Sequence, residues 1–353
     1  DTFMHHLRSA GYRTAMIGKH HYIDRYGIGM DVVAEDQAAI EAYGFDHVLQ
    51  VLDDGENLHN DDTYTAFLRE SGRLETFREA RNKGGYEHPF EPDDSADGFI
   101  GRHGVEYVEN VDTDRPFYLN LSFIGPHPPL WHPGDLDVDP ADVPPPLAAD
   151  DTPAVRARRA HYLQKCKLID DYAGQLVDAL KARGLYDNTV IMFTSDHGDN
   201  LGDYGVWDKR FFYEQSAGVP LIMRGPGVPA EERKNGPRTS RALVSHLDIY
   251  PTLLAAAGAA PSPKGHSRPG RDLRAMLAGR QPLHDAVFSD LATCAMIRTA
   301  GWKLVFDPEQ GGVRYLFNLH ADPDELENLA GRPEYDRVCC DLVSRLLAYR
   351  VRL

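Results

Sequence analysis

Cysteine, positive charge and long apolar runs are all scarce in this chain. Only four cysteines occur among 353 residues: Cys166, Cys294, Cys339 and Cys340. Adjacent Cys339 and Cys340 are poorly placed to bond each other, and no Cys-x-x-Cys or Cys/His spacing points to zinc. Buried or partly buried thiols are the expectation. Lysine and arginine number 38 against 54 acidic residues, a formal net charge of −16. That field argues against nucleic acid and against a polybasic membrane surface as partners. No apolar run approaches the ~18 residues that a membrane-spanning helix needs. No signal peptide is visible at Asp1, so localisation stays open. Low-complexity tracts and internal repeats are absent as well.

What is present suits a folded α/β chain. Apolar residues make up 42%, enough for a sizeable core in one large domain, or in a large and a small one. Residues 3–11 read as a helix ending at Gly11, and Arg13 to Ile17 as a buried strand broken by Gly18. Residues 31–98 are mixed and loop-rich, and a helix is expected over about 96–110. Pro116 opens a second strand, FYLNLSF, stopped by Gly125-Pro126, and the proline- and aspartate-rich stretch 126–150 reads as an extended surface loop. Thr152 can cap the next helix, Pro153 suits its first position and Gly184 the position after its end. Ile169, Tyr172, Ala173, Leu176 and Leu180 repeat at helical spacing and mark its packed face. Thr189–Thr194 and Val219–Met223 are the third and fourth expected strands, and 243–258 is expected to close a strand and open a helix. The composition changes after about 260, and beyond 284 short β-like runs predict a small antiparallel sheet before a terminal helix over 334–350. The expected boundary therefore divides 1–270, a catalytic-type α/β domain, from 271–353, a C-terminal subdomain.

Chemically capable residues collect where the first three strands end: Gly18-Lys19-His20-His21, Gly125-Pro126-His127-Pro128-Pro129 and Ser195-Asp196-His197-Gly198-Asp199. Ligands of α/β sheets bind beyond the carboxyl ends of the strands, which predicts one shared rim. Asp196 and His197 can both bind a divalent metal, with Gly198 allowing a sharp turn beside them. In an extended segment Lys19 and His21 face one side and suit a tetrahedral oxyanion. The prolines around His127 restrict its backbone and aim its ring. Lys209, in YGVWDKRFFYEQ, can neutralise a bridging substrate oxygen. Taken singly, each has a plainer reading: a turn, a loop histidine or a solvated surface charge. Asp203, Tyr204, Trp207, Tyr213 and the Tyr86-Glu87-His88 loop are candidates for a leaving-group pocket, and each is as readily structural.

In combination the motifs are more specific. GKHH, GPHPPL and TSDHGDNLGDYGVWDKRFFYEQSAGVPLIMRGPG, followed by SHLDIYPTLLAAAG, GWKLVFD and LFNLHADPDELENLA, resemble the sulfatase family of the alkaline-phosphatase superfamily over about residues 3–345. The resemblance implies an alkaline-phosphatase-like sandwich: a central, mostly parallel sheet flanked by helices, with a small C-terminal antiparallel sheet plus helix. It implies metal-dependent hydrolysis of a small-molecule or saccharide sulfate ester. One divalent metal is implied, usually Ca²⁺, with Mg²⁺ or Mn²⁺ as the other candidates, held in part by Asp196 and His197. Lys19, His21, His127 and Lys209 match substrate and nucleophile contacts, with Lys19 and His21 near the nucleophile and His127 and Lys209 on the sulfate. Such local cations would offset the acidic field of the whole chain.

One departure stands out. The usual nucleophile is a formylglycine made from Cys in C-x-P-S-R, and none of the four cysteines lies in that context. The acidic pairs Asp53-Asp54 and Asp61-Asp62 follow GKHH, whereas the family's other metal ligands precede it. The expectation is an N-terminally truncated chain with little or no activity of its own. A phosphonate monoester hydrolase or phosphodiesterase, and a non-catalytic anion-binding homologue or remnant, are the alternatives.

Overall fold

The run Thr-Ala-Met-Ile is β-compatible and wholly apolar past its threonine, and in the computed structural model it is the buried strand β1, Arg13–Gly18. The structure describes residues 2–23, 27–53, 55–229, 239–260 and 270–352. These fall into two compact units, 1–145 with 151–189, and 146–150 with 190–353. The expected boundary at 270 falls inside the second unit.

In the first unit, α1 (Phe3–Ser9) leads into β1, and α2 (Val32–Glu41) into β2 (His47–Gln50). Helices α3 (Thr63–Glu70), α4 (Leu74–Lys83) and α5 (Ala96–Asn110) then precede β3 (Phe117–Ser122). The stretch expected to be loop-rich thus holds three helices and a strand before α5. Its strand is only four residues, HVLQ, too short for periodicity to reveal. The strand order is β2-β1-β3, all parallel, with Gly18 opposite both Gln50 and Ser122. All three strands therefore end at one edge. Gly18 has φ +110°, and a Cβ there would lie 2.0 Å from the Ser122 carbonyl oxygen, so only glycine lets the strands close up at that edge.

Helix α6 (Pro153–Ala182) begins as expected, with the Thr152 side chain accepting from the Val155 N–H. The core beneath the sheet joins Ile17, Leu49, Tyr64, Phe77, Ile100 and Trp131. Fully burying each such side chain contributes about 1.5–3 kcal/mol. A second cluster packs Met4, Met16, Ile40 and Phe45.

In the second unit, β4 (Ile191–Thr194), α7 (Glu214–Ala217) and β5 (Leu221–Arg224) come first. Among the described residues, β4 pairs with β5 alone, antiparallel, rather than extending the parallel sheet. The third expected strand therefore lies outside the β2-β1-β3 sheet. Helices α8 (Ile249–Ala257) and α9 (Leu273–Leu277) follow. The proline- and arginine-rich stretch expected near 260–271 lies mostly outside the described residues.

The C-terminal segment forms the small antiparallel sheet that its short β-like runs predict. Strands β6 (Val287–Leu291), β7 (Cys294–Arg298), β8 (Trp302–Asp307) and β9 (Gly312–Asn318) lie in that order, all antiparallel. The terminal helix α10 (Asp336–Arg352) contributes Leu342 and Leu346 to a core with Ile297, Leu304 and Leu316. All four thiols are free; Cys340 is exposed rather than partly buried. Among the described residues, no helix is long and apolar enough to cross a membrane.

Candidate active site

Each unit carries part of the expected set. In the first, Lys19 leaves the end of β1 and its Nζ lies 3.4 Å from Asp53 Oδ2, both side chains largely enclosed. Asp53 follows β2, at the same edge of the sheet. Burial would push its carboxyl up, but Lys19, the Glu56 and Gly55 N–H groups and His127 more than offset that and hold it below the usual range. Asp53 is thus the ion-pair partner of Lys19, a role its position after GKHH had concealed. Had β2 been recognised, the strand-end rule that found Lys19 would have found Asp53 too. Glu56 is pushed the other way, by burial and by Asp53, with Lys19 and His21 opposing. His20 turns away, its Nε2 3.0 Å from Gln50 Oε1.

His127 lies between two cis X-Pro bonds, Gly125-Pro126 and Pro128-Pro129. Its Nδ1 is 2.7 Å from the Pro128 carbonyl. A carbonyl only accepts, so Nδ1 carries the hydrogen. The backbone of this loop is gripped from below. Asp97 Oδ1 accepts the Ile124 and Gly125 N–H groups at 2.8 and 2.9 Å. Lys165 Nζ donates to the His127 and Pro129 carbonyls at 3.1 and 3.2 Å.

In the second unit, Asp196, His197 and Lys209 meet. Lys209 Nζ donates to His197 Nε2 at 2.7 Å, and that nitrogen is 3.5 Å from Asp196 Oδ2. His197 Nδ1 lies 2.8 Å from the Gly198 carbonyl, which sets the tautomer with the lone pair on Nε2. Burial would raise the Asp196 carboxyl, yet His197, its N–H and Lys209 leave it lowered, hence ionised over a wide range. Gly198 is needed less for a turn than for contact: a Cβ there would lie 2.0 Å from the Gln215 carbonyl oxygen. Gly198 N–H donates to the Ser216 carbonyl at 2.9 Å, and Ser216 Oγ to the Lys209 carbonyl at 3.1 Å. This laces the Lys209 loop to the end of β4.

The same loop is pinned to the C-terminal sheet. Lys303 of β8 is fully buried, 2.5 Å from Glu325 and 3.0 Å from Glu214, and donates to the Phe212 carbonyl at 3.0 Å. Of the leaving-group candidates, Asp203 is buried and accepts the Leu147 N–H at 2.9 Å, while Tyr204 stacks on Tyr213 at 4.0 Å and donates to the Asp324 carbonyl. Tyr86 stacks on His161 at 3.7 Å.

A divalent cation would find a fitting ligand in ionised Asp196. His197 would be a second ligand only once its Nε2 lone pair, which accepts from Lys209 here, is turned to the cation. Among the described residues, no group of three or more His, Cys, Asp or Glu could hold a metal. Oxygen-preferring cations such as Ca²⁺ take six to eight ligands, so the pair fits as part of a site.

Strand-end cations and acids of this kind, in this fold, coincide with a specific relationship. Residues 1–259 match the Sulfatase family, and 202–352 match the family described as N-sulphoglucosamine sulphohydrolase, C-terminal. This chain belongs to the sulfatase family. It is 30% identical over 380 residues to choline-sulfatase of Rhizobium meliloti (strain 1021), covering 94% of this chain and 67% of that protein. With arylsulfatase K of Canis lupus familiaris it is 34% identical over 187 residues, 49% of this chain and 33% of the other. The fold resembles the phosphonate monoester hydrolase of Agrobacterium radiobacter, with TM-score 0.76 and 23% identity over 100% of this chain and 81% of that one. The sulfatase fold expected from the motifs is thereby shown, in the form of a parallel sheet, flanking helices and a small antiparallel sheet.

Proposed function

We propose that this sulfatase chain serves hydrolysis of sulfate esters, with Lys209 and His127 on the sulfate, Lys19 and His21 beside the nucleophile, and Asp196 with His197 toward a divalent metal. The carrying observation is the Lys209–His197 contact of 2.7 Å beside ionised Asp196. It concentrates positive charge and hydrogen-bond donors on a strand end of a chain whose net charge is −16. Developing charge on a sulfuryl group needs such donors, and preorganised donors cost no reorganisation as the reaction proceeds.

A bound divalent cation, most simply Ca²⁺, would add Lewis-acid neutralisation of sulfate oxygens. The chain's own residues do the rest. Lys209 has a hydrogen free of His197 to offer an oxyanion. His127 is the residue assigned to the leaving-group side, where a protonated imidazole would act as general acid. Lys19 is held by Asp53, which keeps the ammonium oriented at the sheet edge. The nucleophile of the reading is a formylglycine, for which none of the four cysteines has the C-x-P-S-R context.

Hydrolysis of an aryl sulfate, choline sulfate and an aryl phosphonate monoester should be followed side by side, with and without a chelator, together with calorimetric binding of inorganic sulfate. Turnover of sulfate esters lost with the chelator supports the reading. Preference for the phosphonate transfers it to phosphorus esters, a reading that rests on likeness of fold. Sulfate binding without turnover of any ester leaves an anion-binding homologue.

A further inference from the structure

We propose that Lys165 and Asp97 are positioning residues for His127, a buried ion pair that holds the histidine's loop by its backbone. The functional value of the device rests on the reading of His127 as a sulfate-facing residue; the device itself does not.

Two charges are seldom kept in an interior without being used. Lys165 sits in the middle of α6 and Asp97 in the first turn of α5, with side-chain exposures of 3% and 6% and a separation of 3.9 Å. That gap is longer than a direct charge-assisted hydrogen bond. Both groups instead spend their hydrogen bonds on residues 124–129. The carboxylate takes two successive N–H groups, Ile124 and Gly125, and the ammonium takes two carbonyls, His127 and Pro129. Donors and acceptors of one loop are thereby fixed by opposite charges from two helices. Proline at 126, 128 and 129 leaves this segment few N–H groups of its own, so it cannot be held by ordinary ladder bonding.

Gly125 completes the fit. A Cβ there would meet Asp97 Oδ2 at 2.7 Å, and Ile169 Cδ1 and Lys165 Cε at 3.1 Å. The loop therefore lies directly on the pair. One bond from Lys165 reaches the carbonyl of His127 itself, so loss of the ammonium frees the backbone that aims the ring.

The test follows the ring signals of His127 by NMR in the chain labelled at histidine, in K165M, K165R and D97N, and measures the affinity for inorganic sulfate in each. In K165M the His127 signals should shift and broaden while those of His47 and His103 stay in place, and K165R should restore them in part. Sulfate affinity should fall on the order of 10-fold in K165M, as misplacement of a binding group predicts. In an H127A background the K165M change should cost no further affinity. Unmoved His127 signals in folded K165M or D97N would overturn the proposal, as would an equal loss of affinity with and without His127. If K165M does not fold, K165R and D97N decide by the same signals. If the wild-type chain binds no sulfate, the proposed function fails, while the His127 signals still judge the positioning.

Discussion

The loops that present His127 and Lys209 are held by the same kind of anchor, a buried lysine, used in opposite ways. Lys165 meets one carboxylate at 3.9 Å and gives its hydrogen bonds to two backbone carbonyls. Lys303 meets two carboxylates, at 2.5 and 3.0 Å, and one carbonyl. The first arrangement holds a proline-rich loop whose backbone lacks donors. The second ties three distant stretches together: the Lys209 loop through Glu214, the strand β8, and the turn carrying Glu325. Glu325 N-terminal neighbours take part as well, since Tyr204 reaches the Asp324 carbonyl. Loss of Lys165 leaves Asp97 still bonded to two backbone N–H groups, which share its charge. A lysine set against a fully enclosed glutamate leaves that glutamate, Glu325, with its charge unpaired, while Glu214 is half-exposed.

The contrast can be broken most forcefully at Lys303. Lys303→Met should cost about 3–5 kcal/mol, as removal of one partner of a buried ion pair does, and clearly more than Lys165→Met. Urea unfolding of both variants measures it, and equal losses would remove the distinction.

The next effect concerns pH and the region of Lys165. Burial above all, with Lys165 assisting, holds His88 at a pKa of about 4, and its Nε2 has no hydrogen-bond partner. A histidine whose folded pKa is depressed binds its proton more readily when unfolded. Its contribution is intact above about pH 6.5 and is lost as pH falls from there toward 4. Stability should drop by up to ~3 kcal/mol over that window, and His88→Asn should flatten that part of the profile in denaturant titrations.

Gly198→Ala sharpens the second region. Its Cβ meets a backbone oxygen that can move only with the Lys209 loop, so a loss of about 1–3 kcal/mol is expected, with weakened sulfate affinity in calorimetry. Stability lost with affinity retained would detach the loop from the anion site. Smallest is Ser216→Ala, which removes one hydrogen bond to the Lys209 carbonyl. It should cost about 1 kcal/mol by the same unfolding measurement.

Much of the fold was legible along the chain. Thr152, Pro153 and Gly184 bracketed α6, because capping and termination act through a few adjacent residues. The apolar run before Gly18 marked β1, and turn residues separated the C-terminal strands. The four-residue β2 was not legible, nor was the pairing of β4 with β5 alone, since partner choice depends on residues far apart in sequence. Asp53 was lost with β2.

The sequence by itself determined the family, through motif order, and it named Lys19, His21, His127, Asp196, His197 and Lys209, because chemically capable residues next to strand-breaking glycine or proline can be read locally. Only the tertiary structure decided what those residues touch. It set Lys19 against Asp53 and Lys209 against His197, it supplied Asp97 and Lys165, which lie in none of the quoted motifs, and it gave Lys303 and Glu325 of the C-terminal motifs their contacts. Their roles come from burial: a charge far from water acts on whatever polar backbone is brought to it, and that choice is made by packing between distant segments.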